Sequence, residues 1–257
     1  MHTLTVTSGP FVTVTLNRPS VRNAFNEELI ADLTAWAVEA GQTPGIRAAI
    51  LAGAGKTFCA GADVNWMATT VTYTRDQNLD DARRMRRMFE RLDELPFPLI
   101  GRIHGAALGG GAGLAAVCDI AVAADTATFG FTEVKLGILP AVISPFALRK
   151  IGVSAARELF LTGARFSAAR AREIGLVHAV VPEAELDEAV DAFVREIGTA
   201  APGAVREAKR LIREVAGRVA DEGEITSGAI AERRVSAEGQ DGLRSFLEKK
   251  TPGWITR

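Results

Sequence analysis

The sequence predicts an α/β protein in which a mixed core is followed by a helical C-terminal region. Short apolar segments typical of strands alternate with helical periodicity as far as residue 181. Beyond Pro182 only amphipathic helical spacing continues. With 257 residues, of which 47% are hydrophobic, the chain can bury one large domain, or one domain with an appendage. We therefore predict a core over residues 1–200 and a helical region over residues 201–257.

The first predicted elements are a β-hairpin and a helix. Residues 4–7 and 11–16 alternate apolar and hydroxyl side chains on either side of a Ser-Gly-Pro turn. Asn26 is a suitable N-cap for the helix that follows. The apolar face of this helix consists of Leu29, Ile30, Leu33, Trp36 and Ala37. Gly41 and Pro44 are expected to end it.

A buried strand and a long helix are predicted next. Residues 48–52 form a short apolar run, and the glycine-bearing loop GAGKTFCAGADV follows it. Apolar residues recur at helical spacing over residues 73–95, and four arginines at 83, 84, 86 and 87 fall largely outside that stripe. We interpret these arginines as a solvated face, with an anion contact as the alternative.

A second glycine-rich segment occupies residues 103–124 and has glycines at 105, 109, 110, 111 and 113. Glycine costs about 1 kcal/mol relative to alanine inside a helix, so such a cluster indicates close approach of a ligand or of another backbone segment. We predict a strand over residues 100–103, a turn, and a helix over residues 110–117. The free N–H groups at the start of that helix suit an anion or a developing oxyanion. Tight packing of helix against sheet is the alternative.

The remaining chain continues the mixed pattern and then becomes helical. Strands are expected at residues 119–123, 128–131 and 177–181, and helices from 144 to 151 and from 154 onward. Three or four amphipathic helices follow, at about 183–198, 202–219, 223–238 and 240–250.

Composition narrows the class of protein. A net charge of −1 argues against a general nucleic-acid binder. The two cysteines, Cys59 and Cys118, indicate neither a disulfide framework nor a zinc site, so we predict no metal. The N-terminus lacks the pattern of a secretory signal, and the apolar run near residue 110 is broken by glycines and Asp119. We therefore expect a cytoplasmic protein that does not bind membranes.

Four segments together resemble the enoyl-CoA hydratase/isomerase (crotonase) superfamily. They are FCAGADV at 58–64, HGAALGGGAGLAAVCDIAVA at 104–123, FGFTEVKLGILP at 129–140 and SFLEKKTP at 245–252. The resemblance implies a crotonase-like spiral of ββα units with a C-terminal helical region that assembles homotrimers, commonly paired into homohexamers. It also implies an acyl-CoA substrate. No separate cofactor is then required, because coenzyme A is part of that substrate.

The resemblance further implies an oxyanion hole and one proton-transfer group. By motif position, the backbone N–H groups of Ala60 and Gly110 would stabilise the enolate oxygen of the thioester. Glu133 matches the carboxylate that transfers a proton at the substrate. The single histidine at the end of the strand, His104, is interpreted as structural, and Cys59 is not assigned as a nucleophile.

Coenzyme A contacts follow from the same motifs. Five residues match segments that line the adenine and pantetheine path: Arg22 and Ala24 in the loop NRPSVRNAF at 17–25, and Ala62, Asp63 and Val64 at the end of the loop GAGKTFCAGADV. Phe246 and Lys249 match a C-terminal pair that reaches the coenzyme from a neighbouring subunit. A solvated surface position is the alternative for Arg22 and Lys249.

Two departures from the family pattern leave the reaction open. Hydratases of the family usually carry a second glutamate after the glycine run, where this chain has Gly113. The PAVISP segment at 140–145 and the GGGxGL pattern are similar to bacterial methylglutaconyl-CoA hydratase-like members. We predict a hydratase-type lyase. The alternatives are an enoyl-CoA isomerase that uses Glu133 alone and a non-catalytic acyl-CoA-binding homologue.

Overall fold

The computed structural model of the protein describes residues 2–70, 72–216, 237, 238, 241, 245 and 248–254. Strands and helices alternate through most of this length, as the sequence predicts. The strands in chain order are β1 (Leu4–Val6), β2 (Phe11–Leu16), β3 (Ala48–Gly53), β4 (Leu99–Ile103), β5 (Ala106–Leu108), β6 (Ile120–Ala124), β7 (Thr128–Gly130), β8 (Arg165–Ser167) and β9 (Ala179–Val181). The helices are α1 (Glu27–Gln42), α2 (Val64–Thr70), α3 (Arg75–Asp93), α4 (Gly110–Val117), α5 (Ser144–Thr162), α6 (Ala168–Glu173), α7 (Leu186–Thr199) and α8 (Pro202–Ala216).

Six of the described strands form one sheet, in the order β1-β2-β3-β4-β6-β9. The predicted hairpin of β1 and β2 is antiparallel, and every later pairing in this sheet is parallel. Its central strands are apolar on both faces: β3 reads AAILAG and is buried over its first five residues. A parallel sheet needs such sequences because helices or other layers cover both of its faces.

A second, three-stranded sheet has the order β5-β7-β8. Strand β5 was not predicted, because three residues flanked by glycines carry no visible strand pattern. It pairs in parallel with β7, and Leu108 lies opposite Gly130 at the ends of the two strands. The chain segments that leave β5 and β7 therefore start side by side.

Helix α1 begins as predicted. The side chain of Asn26 accepts a hydrogen bond from the N–H of Leu29 at 3.0 Å and so caps the helix. Helix α3, which packs against α1, starts with a capping box formed by Thr74 and Gln77. The predicted arginine-rich face of α3 is exposed, and three of the four arginines, 83, 84 and 86, form ion pairs with acidic residues of the same helix.

Of the next two helical regions, the first was missed by the sequence-based expectation and the second agrees with it. Helix α2 was not predicted. The Ser144–Thr162 range of α5 comprises two helical segments that meet at a kink at Gly152, in agreement with the two helices expected from 144 to 151 and from 154 onward. The backbone of Gly152 has φ 69° and ψ 171°, a conformation essentially restricted to glycine.

The C-terminal region is described in part. Helices α7 and α8 agree with the first two predicted helices, whereas most residues of the last two predicted helices lie outside the described residues. Lys209 of α8 is buried and donates to the Phe97 carbonyl oxygen at 3.1 Å and to Asp119 at 2.6 Å. The same Asp119 oxygen accepts the N–H of Leu99 at 2.7 Å. These bonds attach α8 to the first residue of β4, Leu99. The domain boundary near residue 200 stays a prediction.

Within the described residues, no helix has the length and apolar composition that crossing a membrane would require.

Candidate active site

Three chain segments meet at the start of helix α4. The N–H of Gly109 donates to the carbonyl oxygen of Gly130 at 2.8 Å, which fixes the start of α4 against the end of β7. A Cβ atom placed on Gly109 would lie 3.4 Å from Oε1 of Glu133 and 4.0 Å from Cα of Gly61. The Glu133 carboxylate, the start of α4 and the loop after β3 therefore share one small volume.

The loop after β3, residues 54–63, is held by hydrogen bonds to other segments. The side chain of Asn23 is fully buried and donates to the carbonyl oxygens of Ala54 at 2.8 Å and Thr57 at 2.7 Å. The following residues run beside β5, where the N–H of Cys59 donates to the carbonyl oxygen of Ala106 at 3.0 Å. These contacts define the position of the loop before it reaches Gly61.

Ala60 has no free N–H group. Its amide donates to the carbonyl oxygen of Arg22 at 3.0 Å, so this donor is already used inside the protein. The structure therefore does not support the predicted role of Ala60 in an oxyanion hole. The reason is the hydrogen bonding of an irregular loop, which motif position alone does not reveal.

Ala62 differs from Ala60 in this respect. Phe25 pairs with the loop on both sides of Ala62: its N–H donates to the Gly61 carbonyl oxygen at 2.7 Å, and its own carbonyl accepts the N–H of Asp63 at 2.8 Å. In the part of the chain that the structure describes, the N–H of Ala62 has no acceptor. A rigid loop thus presents one unused amide next to Gly61.

Helix α4 offers further free donors. The N–H of Gly113 is the first to bond within the helix, to the Gly109 carbonyl oxygen at 3.0 Å. The amide of Gly110 precedes it and, among the described residues, has no acceptor. A side chain at Gly110 would meet the ring of Phe25 at 2.8 Å and the methyl group of Met85 at 3.0 Å. This packing explains why glycine is required there and lets the helix start approach the loop closely.

Glu133 opens a short 3-10 helix, Glu133–Leu136, three residues after β7. Its Oε2 atom is buried and has no hydrogen-bond partner among the described residues. Burial raises the pKa of Glu133 above the usual value for a glutamate. A buried carboxyl group with an unpartnered oxygen and a raised pKa is suited to both accept and release a proton.

The position of the missing second glutamate is filled by apolar side chains. A Cβ atom on Gly113 would clash with Cγ2 of Ile143 and would lie 2.9 Å from its Cβ and 3.1 Å from the ring of Phe89. Phe89 also packs against Phe146, with ring centroids 5.6 Å apart. The site therefore has a closed apolar wall where a second carboxylate would otherwise project.

The predicted coenzyme A contacts differ in accessibility. Val64 is 74% exposed, and Arg22 is exposed with a left-handed backbone. Ala24 is buried, and its N–H and carbonyl groups are bonded to Val21 and Arg18, so the structure gives it no free group for a ligand.

Asp63 is also buried, with 6% of its surface exposed. One of its oxygens accepts from Arg18 at 2.9 Å and the other from the N–H of Asn65 at 2.9 Å. Burial acts to raise the pKa of Asp63, but the hydrogen bonds from Asn65 and Arg18 outweigh it and hold the pKa below its usual value. Both carboxylate oxygens of Asp63 are thus engaged within the protein, and its contact with coenzyme A stays a prediction.

The two C-terminal residues of the predicted site can be placed only in part. Lys249 is exposed. Phe246 lies outside the described residues. Both contacts with a neighbouring subunit stay predictions.

His104 and Cys59 have structural surroundings, as expected. Nε2 of His104 donates to the Gly55 carbonyl oxygen at 2.8 Å, while Nδ1 accepts from Arg102 at 3.2 Å, so both ring nitrogens are engaged. Burial raises the pKa of the Cys59 thiol to about 12, which removes its nucleophilic thiolate form at neutral pH. Neither residue has the free reactive atom that catalysis requires.

Comparison with known proteins agrees with this geometry. The sequence model described as "Enoyl-CoA hydratase/isomerase" matches residues 7–257. The chain belongs to the enoyl-CoA hydratase/isomerase family. The 2,3-dehydroadipyl-CoA hydratase of Escherichia coli is 32% identical over 256 residues, which cover 95% of this chain and 94% of that protein.

Solved structures of the family share the whole fold. An enoyl-CoA hydratase from Shewanella pealeana superposes with a TM-score of 0.94 at 38% identity, and the match covers 98% of this chain and 96% of that one. An enoyl-CoA hydratase/isomerase from Marinobacter aquaeolei gives a TM-score of 0.93 at 35% identity, with both chains fully covered. The protein is therefore an enzyme of the enoyl-CoA hydratase/isomerase family with the crotonase fold.

Proposed function

We propose that this enzyme adds water to an enoyl-CoA, or removes it, with Glu133 as the proton-transfer group. The observation that carries the proposal is the buried, unpartnered Oε2 atom of Glu133 beside the start of α4. The names of the related hydratases support the hydro-lyase reaction over the other reactions of the family. The reaction needs no cofactor, because coenzyme A is part of the substrate.

In the proposed mechanism, the thioester oxygen accepts hydrogen bonds from the N–H groups of Ala62 and Gly110. Ala62 replaces Ala60 as the first donor, because only the Ala62 amide is free. As the oxygen of water bonds to the β-carbon, negative charge moves onto the thioester oxygen and an enolate forms. Preorganised donors of this kind each lower a barrier by about 3–4 kcal/mol. The dipole of α4 acts in the same direction.

Glu133 acts first as a base and then as an acid. Its carboxylate takes one proton from water while the water oxygen bonds to the β-carbon. The same proton is then delivered to the α-carbon, which collapses the enolate to the hydroxyacyl thioester. Dehydration follows these steps in reverse. A raised pKa helps a single group perform both transfers.

A second candidate reaction, double-bond isomerisation, is favoured by the closed wall at Gly113. In this reaction Glu133 moves a proton between two carbons and no water has to be held. Ile143 and Phe89 occupy the space from which a second carboxylate would orient water.

A panel of coenzyme A esters distinguishes these reactions. Crotonyl-CoA, a longer straight-chain enoyl-CoA, a 3-enoyl-CoA and methylglutaconyl-CoA are incubated with the enzyme, and the products are analysed by mass spectrometry. We expect a change of one water. Rearrangement at unchanged mass would instead select the isomerase, and tight binding without conversion would contradict both proposed reactions.

Glu133→Gln tests the assigned group. Turnover should fall by about 10²–10⁴-fold, the usual contribution of a positioned acid or base, while the dissociation constant of the ester stays within about threefold. Glu185→Gln, at an exposed glutamate with no contact to the site, is the matched control and should leave both quantities unchanged. Unchanged turnover in Glu133→Gln would refute the assignment.

We also propose a homotrimer or homohexamer. Three neighbouring apolar residues that follow Glu133 in the chain have most of their surface exposed: Leu136 at 62%, Ile138 at 56% and Leu139 at 67%. A contiguous apolar patch is typical of a protein–protein interface. In such an assembly, the predicted Phe246 and Lys249 contacts would come from the adjacent subunit. A cytoplasmic location stays a prediction.

A further inference from the structure

A buried ion pair lies directly beside the free Ala62 amide. Nη2 of Arg18 and Oδ2 of Asp63 are 2.9 Å apart, and their side chains are 18% and 7% exposed. Asp63 is the residue after Ala62. Both side-chain oxygens of Asp63 already accept hydrogen bonds within the protein, which points to a structural role for the ion pair beside Ala62.

Arg18 connects the two segments that hold Ala62. Nη1 of its guanidinium group donates to the carbonyl oxygen of Ala24. Ala24 precedes Phe25, whose N–H and carbonyl groups pair on either side of Ala62. Nη2 of Arg18 reaches Asp63 on the other segment. The Arg18 backbone is itself fixed, because its N–H donates to Oδ1 of the buried Asn23 at 2.9 Å. The Arg18 guanidinium group therefore bonds to both paired segments, at Ala24 and at Asp63.

Charge provides a second reason for the pair. An unpaired carboxylate one residue from a hydrogen-bond donor would oppose negative charge on the oxygen that the donor binds. Arg18 places a compensating positive charge 2.9 Å from that carboxylate. Arginine suits the position, because a guanidinium binds two oxygens in fixed directions and stays charged when buried.

We propose that Arg18 is a positioning residue that orients the Ala62 N–H and neutralises Asp63 next to the enolate oxygen. This inference rests on the proposed function. It assigns to Arg18 and Asp63 a role in stabilising the enolate, in place of a contact with coenzyme A. It predicts that losing Arg18 weakens binding of an enolate more than binding of an ester that does not form one.

The test compares three variants. Arg18→Met removes the cation and both of its hydrogen bonds. Arg18→Met/Asp63→Asn also removes the uncompensated carboxylate, while an amide oxygen at residue 63 still accepts the Asn65 N–H. Lys209→Met is the matched control, because it breaks a buried ion pair with Asp119 on a different part of the fold.

Two ligands separate enolate stabilisation from general binding. Acetoacetyl-CoA ionises readily to an enolate, whereas butyryl-CoA is saturated and does not. In Arg18→Met we expect the dissociation constant of acetoacetyl-CoA to rise about tenfold or more and that of butyryl-CoA by less than about threefold, the scale on which a misplaced group acts. The double variant should recover much of the loss. Lys209→Met should change neither constant.

Hydrogen exchange measures the positioning independently of any ligand. The peptide that contains residues 59–65 should exchange about tenfold faster in Arg18→Met and at the wild-type rate in Lys209→Met. If Arg18→Met does not fold, Arg18→Lys, which keeps the charge but not the fork, should show the same two effects more weakly.

Equal weakening of both ligands, or unchanged exchange of residues 59–65, would overturn the inference. Failure of the proposed function has a different signature: wild-type enzyme would then show no enolate absorption on binding acetoacetyl-CoA. In that case the exchange result still decides whether Arg18 holds the loop.

Discussion

The Glu133 carboxyl group sets the expected pH dependence of activity. A base must be ionised in the free enzyme, and burial raises its pKa, so kcat/KM should rise with pH through an apparent pKa above the usual range for glutamate. The measurement is a pH profile of kcat/KM with the most active ester of the panel. A rising limb at or below the usual glutamate pKa would contradict the assignment.

The same shift predicts an effect on stability. Because the folded-state pKa lies above the unfolded-state value, Glu133 contributes stability at low pH that is lost as the pH rises through its folded-state pKa. Glu133→Gln should therefore raise the free energy of unfolding at pH 7. The gain should shrink at pH 4. Urea unfolding at both pH values checks this, and Glu185→Gln should show no such difference.

Gly113 is expected to tolerate no side chain. In Gly113→Ala the new methyl group would overlap Ile143, and overpacking of this kind costs about 1–3 kcal/mol. The cost should largely disappear in an Ile143→Ala background. Gly198→Ala, whose methyl group would lie an ordinary 3.5 Å from Phe11, is the helical control and should stabilise by about 0.5–1 kcal/mol. Additive costs of Gly113→Ala and Ile143→Ala would contradict the packing argument.

Among the secondary-structure elements, α5 carries a bend that a single residue permits. No heavy atom lies within 4 Å of a Cβ placed on Gly152, so Gly152→Ala causes no clash. The backbone conformation alone should make this variant less stable by about 1–3 kcal/mol. Denaturant unfolding measures the loss. Stability equal to wild type would mean that α5 straightens without cost.

Elements that depend on residues close in the sequence were predictable, and elements that form by pairing with a distant segment were not. The Asn26 cap and the helix that starts at Gly110 depend on neighbouring residues and were confirmed. Strand β5 exists because it pairs with β7, and the free amide is at Ala62 because Phe25 pairs around it. Gly113 revealed the missing carboxylate, but only the fold shows that Ile143 closes the space.

For the whole molecule, the exposed patch of Leu136, Ile138 and Leu139 predicts assembly. Leu139→Asp should reduce the molar mass measured by light scattering from that of a trimer or hexamer toward that of a monomer, because a buried unpaired charge disfavours the interface. Val38→Asp, on the exposed side of α1, is the control and should leave the mass unchanged. A wild-type monomer would refute the assembly.

The predicted contacts of Phe246 and Lys249 would link assembly to substrate binding. The end of the C-terminal tail is attached to the same chain, because Arg47 donates to the Trp254 carbonyl oxygen at 3.2 Å and the Trp254 indole donates to that of Thr199 at 3.0 Å. Lys249→Ala and Phe246→Ala should weaken binding of coenzyme A esters in the oligomer and have no effect in a dissociated variant. Calorimetric titration of both forms checks this, and unchanged affinity in both variants would remove the tail from the site.

The two buried thiols also report when the molecule opens. Burial raises the pKa of both Cys59 and Cys118 to about 12, so a thiol reagent labels them only in molecules that have opened locally or unfolded. Cys59 lies in the loop that carries the Ala62 amide, whereas Cys118 follows α4. Labelling of Cys59 before Cys118 would time the opening of the catalytic loop separately from unfolding of the core.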